Sequence, residues 1–222
     1  EVKVFGLDGE LEENVLARLS TANSFSKERR RVYRAQVDKA VRSSLQALGY
    51  YEPKIQYQWE GSGEKSVLHV KVQPEEAVLL QAADVRILGQ GQNDSMFVTM
   101  QKRLPVFGQA LNHGQYEDYK STLETISIKR GYFDARFLQK QLAVDVKNKK
   151  GYWNLIYDTG DRYRLGHVNF QGSQIDTDVL QNLVPFQYGD LYDADQIAEL
   201  NTRLNNTPVS YTHLRAHETG AY

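Results

Sequence analysis

Few residues in this chain have the types and spacing that chemistry demands. Asp158, Thr159 and Gly160 spell the tripeptide of aspartic proteases, in which one carboxylate of a pair activates water while its partner supplies a proton. The tripeptide occurs once, at the end of an alternating apolar run, so its expected role is to turn the chain. Of the five histidines, His69, His113 and His167 fall far apart, on an expected strand, loop and strand, with no HxH or HxxxH spacing to converge on a metal. His213 and His217 sit in a terminal stretch set aside below. The glycines of "GQGQND" from Gly89 lack the Lys and Ser or Thr of a phosphate-binding loop, and no GxSxG elbow occurs. There is no cysteine, which removes disulfides and thiolate chemistry. A catalytic role, a cofactor and a metal are therefore not expected.

The strongest local charge is "SKERRRVYR", Ser26 to Arg34. Arg29, Arg30 and Arg31 form a candidate patch for an anionic partner; the alternative is a solvated helix entry, given Glu28 and Asp38 nearby. Across the chain 27 basic residues face 28 acidic ones, so no global field recruits nucleic acid or anionic membrane. With 222 residues and 41% hydrophobic content, the chain has room for one large or two to three small domains. No apolar run approaches the roughly 18 to 20 residues of a membrane-spanning helix. The start, "EVKVFGLDGELEENV", has no basic segment followed by an apolar one, so a signal peptide is expected to be absent or removed.

The elements that must position any site read as a repeat. "VKVFGLDG" predicts a short strand and a glycine turn, after which Leu11, Val15 and Leu19 share one helical face. Val37, Val41, Leu45 and Leu48 predict a second helix, ended by Gly49 as a left-handed cap. Ile55, Tyr57 and Trp59, then Leu68, Val70 and Val72, alternate as two strands of a hairpin. The order is β-α-α-β-β, a three-stranded sheet covered by two helices.

The same order recurs. Val85 to Leu88 predicts a strand, Phe97, Met100 and Leu104 a helix, and Tyr116, Tyr119, Leu123 and Ile126 a longer one. Leu138, Leu142, Val144 and Val146, then Trp153, Leu155 and Tyr157, predict a hairpin through "KNKKG". "LGYYEP" and "RGYFDA" place Gly49, Tyr50, Tyr51 and Gly131, Tyr132, Phe133 at the same point, where the second helix hands over to the hairpin. The glycines at 49 and 131 are 82 residues apart. Glycine relieves positive-φ strain there, and an aromatic can fold back on the core. These six are expected as junction residues more than as contacts.

A third copy starts at "RYRLGHVNFQGSQ", where Tyr163 and Leu165 differ in parity from Val168 and Phe170, so a bulge or linker change is expected near Gly166 and His167. Helical runs through Val179 and Leu183 and through Ile197, Leu200 and Leu204 follow. At Pro208 the expected glycine-aromatic pair is missing, and "PVSYTHLRAHETGAY" has neither period, so residues 208–222 are read as a non-native tail. Without its hairpin, the third copy is expected to leave an apolar face uncovered, with local disorder or aggregation near Val179 to Leu204. The expected domains are 1–76, 77–160, a truncated 161–207, and the tail.

The repeat with "LGYY" and "RGYF" at its helix-to-hairpin joint resembles the POTRA modules of the Omp85 outer-membrane assembly proteins. "VDKAVRSSLQALGYYEP", "LNHGQYEDYKSTLETISIKRGYFDA" and "YDTGDRYRLGHVNFQGSQI" are similar to the translocation-and-assembly-module branch of that superfamily, over about Glu1 to Thr207. The resemblance implies a noncatalytic periplasmic scaffold belonging to an outer-membrane protein with its own C-terminal barrel, which is absent from this sequence. Implied partners are a TamB-like inner-membrane-anchored protein and unfolded outer-membrane clients, autotransporters among them, and no nucleic acid. A rigid spacer without client binding, or a module serving phospholipid transport, is the alternative. Independently of any resemblance, each three-stranded sheet has two edges, and an open edge can take an incoming strand unless charged residues or neighbouring modules block it.

Overall fold

The computed structural model describes residues 1–21, 30–171 and 176–207, with the side chain of residue 64 excepted. The first repeat comprises β1 (Val2–Phe5), α1 (Gly9–Thr21), α2 (Arg30–Ala47), β2 (Lys54–Glu60) and β3 (Val67–Gln73). The second comprises β4 (Leu79–Leu88), α3 (Ser95–Lys102), α4 (His113–Arg130), β5 (Arg136–Asp145) and β6 (Lys150–Asp158), and α5 (Thr177–Gln181) and α6 (Ala194–Asn205) follow. The fold is α+β, with two three-stranded sheets ordered β1-β3-β2 and β4-β6-β5. The last strand of each repeat is thus central. In the first sheet β3 runs parallel to β1 and antiparallel to β2, with Tyr57 opposite Val70 and Trp59 opposite Leu68.

By packing, the chain divides into two compact units. One takes Glu1–Asp84, Pro105–Asp118 and Gln141–Asn154; the other takes Val85–Leu104, Tyr119–Lys140 and the chain from Leu155. In the first, Val15, Tyr33, Val37, Val41 and Leu45 pack on Leu68, Val70 and Val72, and Leu11, Leu19, Tyr50, Ile55, Tyr57 and Trp59 close the rim. The apolar spacing of α1 and α2 accounts for this core directly. In the second, Phe97 meets Tyr132 edge-on at 5.5 Å and Tyr157 at 6.2 Å, and the Tyr157 hydroxyl shares a 2.7 Å hydrogen bond with Ser127. Tyr116, Tyr119, Leu123 and Ile126 of α4 are all buried.

Several expectations change. Leu138 was expected on the inner face of β5, yet it is 53% exposed, and Phe137 packs on Tyr157 at 4.6 Å instead. The inward parity shifts between Phe137 and Leu142, which an edge strand tolerates because only one neighbour fixes its register. His113 begins α4 and does not lie in a loop, and Leu104 falls beyond α3. The strand expected at 163–170 makes a single bridge, Arg164 to Leu191. In each of the first two repeats the first strand borders the repeat's own last strand, and among the described residues no such strand follows α6. Around Val179 to Leu204, where disorder was expected, α5 and α6 form and bury Leu180 and Leu200, while Val179 stays exposed. Residues 208–222, with His213 and His217, lie outside the described residues.

Candidate functional site

The Gly-aromatic-aromatic joints are the most organised feature of the chain. Gly49 and Gly131 have φ of 93° and 83°, the left-handed region that a side chain disfavours. The amide of Tyr50 reaches Leu45 O at 2.9 Å, and that of Tyr132 reaches Ser127 O at 2.8 Å, so both helices end in Schellman caps. The glycine carbonyl then receives the incoming strand: Val78 N donates to Gly49 O and Tyr163 N to Gly131 O, each at 2.8 Å.

That strand is also held by the loop ahead of the next helix. Leu111 N donates to Val78 O, Leu80 N to Gln109 O and Gly108 N to Leu80 O, at 2.8, 2.9 and 2.8 Å. Tyr192 N to Tyr163 O, Leu165 N to Asp190 O and Gly189 N to Leu165 O repeat them at 2.9, 2.8 and 2.9 Å. Each strand position is displaced by 85 residues (78 to 163, 80 to 165) and each loop position by 81 (108 to 189, 109 to 190, 111 to 192). The joint is therefore built twice from peptide groups.

The two aromatics have different places. The first turns back: Tyr50 packs on the first core, and Tyr132 is 3% exposed with its hydroxyl donating to Asp94 at 3.0 Å. The second points onward. Tyr51 has its hydroxyl 2.5 Å from Nε2 of His113, and Phe133 stands edge-on to Tyr163 at 5.1 Å and Tyr192 at 4.8 Å. Burial lowers the His113 pKa against the charge of Glu117, and burial raises that of Tyr51. Beside this contact Lys149 pairs with Glu52.

At the second joint an ion cluster forms that no local pattern announces. Asp94 caps α3 by accepting Met96 N at 3.0 Å, and its Oδ2 receives Arg130 at 2.9 and 3.1 Å. Arg162 stands 3.6 Å from the same oxygen while donating to Arg130 O at 2.7 Å and Tyr192 O at 2.8 Å. Burial opposes the Asp94 charge, but the bonds from Met96, Arg130 and Tyr132 overcome it and hold the carboxyl below its usual range. These groups floor an open cleft of about 900 Å³, and they are engaged with one another.

Among the described members of the arginine patch, Arg30 lies with its guanidinium 5.0 Å from the Trp59 ring and donates to Gly61 O at 2.9 Å, and Arg31 is exposed. Arg29 lies outside the described residues. Arg34 adds a second stacked guanidinium, 4.8 Å from the Tyr57 ring. The sequence reading did not anticipate aromatics under these cations; the signal was Arg30 and Arg34 at i,i+4 beside Tyr57 and Trp59 at i,i+2. Asp158, Thr159 and Gly160 form a turn: Asp158 Oδ1 accepts Gly160 N at 3.0 Å, and the buried Thr159 hydroxyl accepts Gly91 N at 2.9 Å. Among the described residues no group of three His, Cys, Asp or Glu gathers to hold a metal. No helix among them is long and apolar enough to cross a membrane.

Residues 1–74 match the family described as POTRA domain, TamA domain 1, and residues 163–213 match POTRA, described as surface antigen variable number repeat. The POTRA3-5 crystal structure of BamA from Haemophilus influenzae is similar, at 18% identity over 78% of this chain and 69% of that one, with a TM-score of 0.44. POTRA1-3 of the periplasmic domain of Omp85 from Anabaena is similar at 17% identity over 93% and 83%, with a TM-score of 0.34. Two stretches of the chain, one at each end, are thus similar to POTRA repeats. The first of them is similar to the first POTRA domain of TamA.

Proposed function

We propose that this chain is a noncatalytic periplasmic docking arm in outer-membrane protein assembly. It binds a TamB-like partner anchored in the inner membrane, and unfolded β-barrel or autotransporter clients, by adding their strands to its sheets. The observation that carries the reading is the sheet order: β2 and β5 each end a three-stranded sheet, and among the described residues no further strand pairs with their outer edges. β2 is seven residues long and regular, with exposed Lys54, Gln56, Gln58 and Glu60 alternating with Ile55, Tyr57 and Trp59. POTRA modules at 1–76, 77–160 and 161–207 would supply the arm, and Arg29, Arg30 and Arg31 an anionic-partner patch.

The test is retention on the immobilised chain of the purified periplasmic part of a TamB-like protein and of a urea-unfolded β-barrel client. Retention of either, abolished when alternate peptide groups of a client segment are N-methylated, is the expected result. A rigid spacer is the second reading, favoured by the twice-built backbone joint. A spacer retains neither protein.

A further inference from the structure

The edge of β2 carries a charge pattern in register with a strand. Arg30 and Arg34 are four residues apart on α2, a rise of about 6 Å. They sit over Trp59 and Tyr57, two residues apart on β2, a rise of about 6.7 Å. Stacking on an aromatic face fixes a guanidinium without neutralising it, and apart from the one N–H that Arg30 gives to Gly61 O the N–H edges face no carboxylate among the described residues. Among the described residues, neither Arg30, Arg31 nor Arg34 is in an ion pair. The acid of this helix stripe, Asp38, is held by Arg42 at 3.0 and 3.1 Å and by the Tyr57 hydroxyl at 2.5 Å. The first turn of α2 has no acidic residue, so its helix dipole adds to the positive potential.

A strand laid against β2 would place the side chains opposite Tyr57 and Trp59 on the same face as those rings, about 5 Å away at Cβ. That face is where the guanidiniums lie. We propose that the β2 edge and Arg30 and Arg34 together form a docking strip for an extended protein segment carrying Asp or Glu at alternate positions. The proposal rests on strand addition and adds the partner's chemistry to it. Tyr and Trp beside Arg is also the composition of protein-binding hot spots, which favours a polypeptide over a lipid surface.

The test titrates the full chain with three strand-forming peptides, in which Val and Thr alternate with Glu, with Gln or with Lys. The Glu peptide is expected to bind about tenfold tighter than the Gln peptide, with the advantage shrinking in salt. Arg30→Gln/Arg34→Gln should abolish that preference while Arg30→Lys/Arg34→Lys keeps part of it, with circular dichroism confirming that both variants fold. Equal binding of Glu and Gln peptides overturns the charge strip and leaves strand addition standing. Binding of neither peptide removes strand addition at β2 itself. Capture of phosphatidylglycerol vesicles with no preference for the Glu peptide overturns the proposal in favour of lipid.

Discussion

The carbonyl oxygen of Gly131 accepts the amide proton of Tyr163 at 2.8 Å, and a side chain at Gly131 would collide with what holds Tyr163 in place. A methyl group there lies 2.6 Å from Cβ of Tyr192, whose own amide donates to Tyr163 O. At Gly49 the same methyl lies 2.8 Å from Leu111 O.

Gly49→Ala and Gly131→Ala are therefore both expected to destabilise. Left-handed backbone alone costs about 1–2 kcal/mol for a side chain. The clash adds to this at both joints, because the obstacle is backbone at Gly49 and, at Gly131, the Cβ of Tyr192, which rotation of the side chain does not move. Thermal melts read both losses, and hydrogen exchange should show the Val78 amide losing protection in Gly49→Ala.

Phe133 couples to Tyr192 across a ring distance of 4.8 Å. A double-mutant cycle with Phe133→Ala and Tyr192→Ala should return a coupling of about 0.5–1.5 kcal/mol. Additive losses would mean that the edge-on geometry contributes nothing beyond area.

Asp94 predicts an acid limit. Its folded pKa is depressed, so its stabilisation is fully present above the unfolded carboxylate value of about 3.9 and is lost as pH falls through the folded value. Asp94→Asn keeps a capping oxygen for Met96 and removes the charge, so its unfolding should depend less on pH in that window. Asp94→Ala removes the carboxylate beside Arg162, leaves Arg130 only Asp193 at 3.4 Å and strips the cap from α3, and should cost about 3 kcal/mol by chemical denaturation.

His113 predicts a second pH dependence. Its folded pKa is depressed by burial, so the unfolded chain takes up the proton first and stability falls as pH drops below about 6.5. Nε2 of a neutral ring protonated at Nδ1 can accept from the Tyr51 hydroxyl, whereas the charged ring can only donate to its oxygen. Unfolding measured between pH 7.5 and 5 should lose this slope in His113→Gln, and an NMR titration of His113 reads the pKa directly.

Much of this was legible in the residues themselves. The i,i+4 stripe of Val37, Val41 and Leu45 and the alternation of Leu68, Val70 and Val72 specify the first core, because one buried face leaves a helix or strand no other orientation. The glycines at 49 and 131 announced helix ends by their neighbours. What they hold was not legible: Val78 and Tyr163 meet them across 29 and 32 residues, through peptide groups common to every sequence. The Asp94 cluster was hidden for a related reason. Asp94 reads as a cap, Arg130 as the end of a helix and Arg162 as a loop cation, and only the fold brings them together. Leu138 misled because β5 is an edge strand, whose register a single neighbour fixes.

A joint made of backbone atoms and one glycine places few demands on heredity. "LGYYEP" and "RGYFDA" have diverged at most positions, and Val78 and Leu111 at one joint answer to Tyr163 and Tyr192 at the other, yet the bonds remain the same. Copies of the unit can drift apart in surface and charge, one with stacked arginines and another with an acid-anchored cleft, while keeping the same backbone bonds. Gene duplication can then add whole units without inventing a new coupling each time.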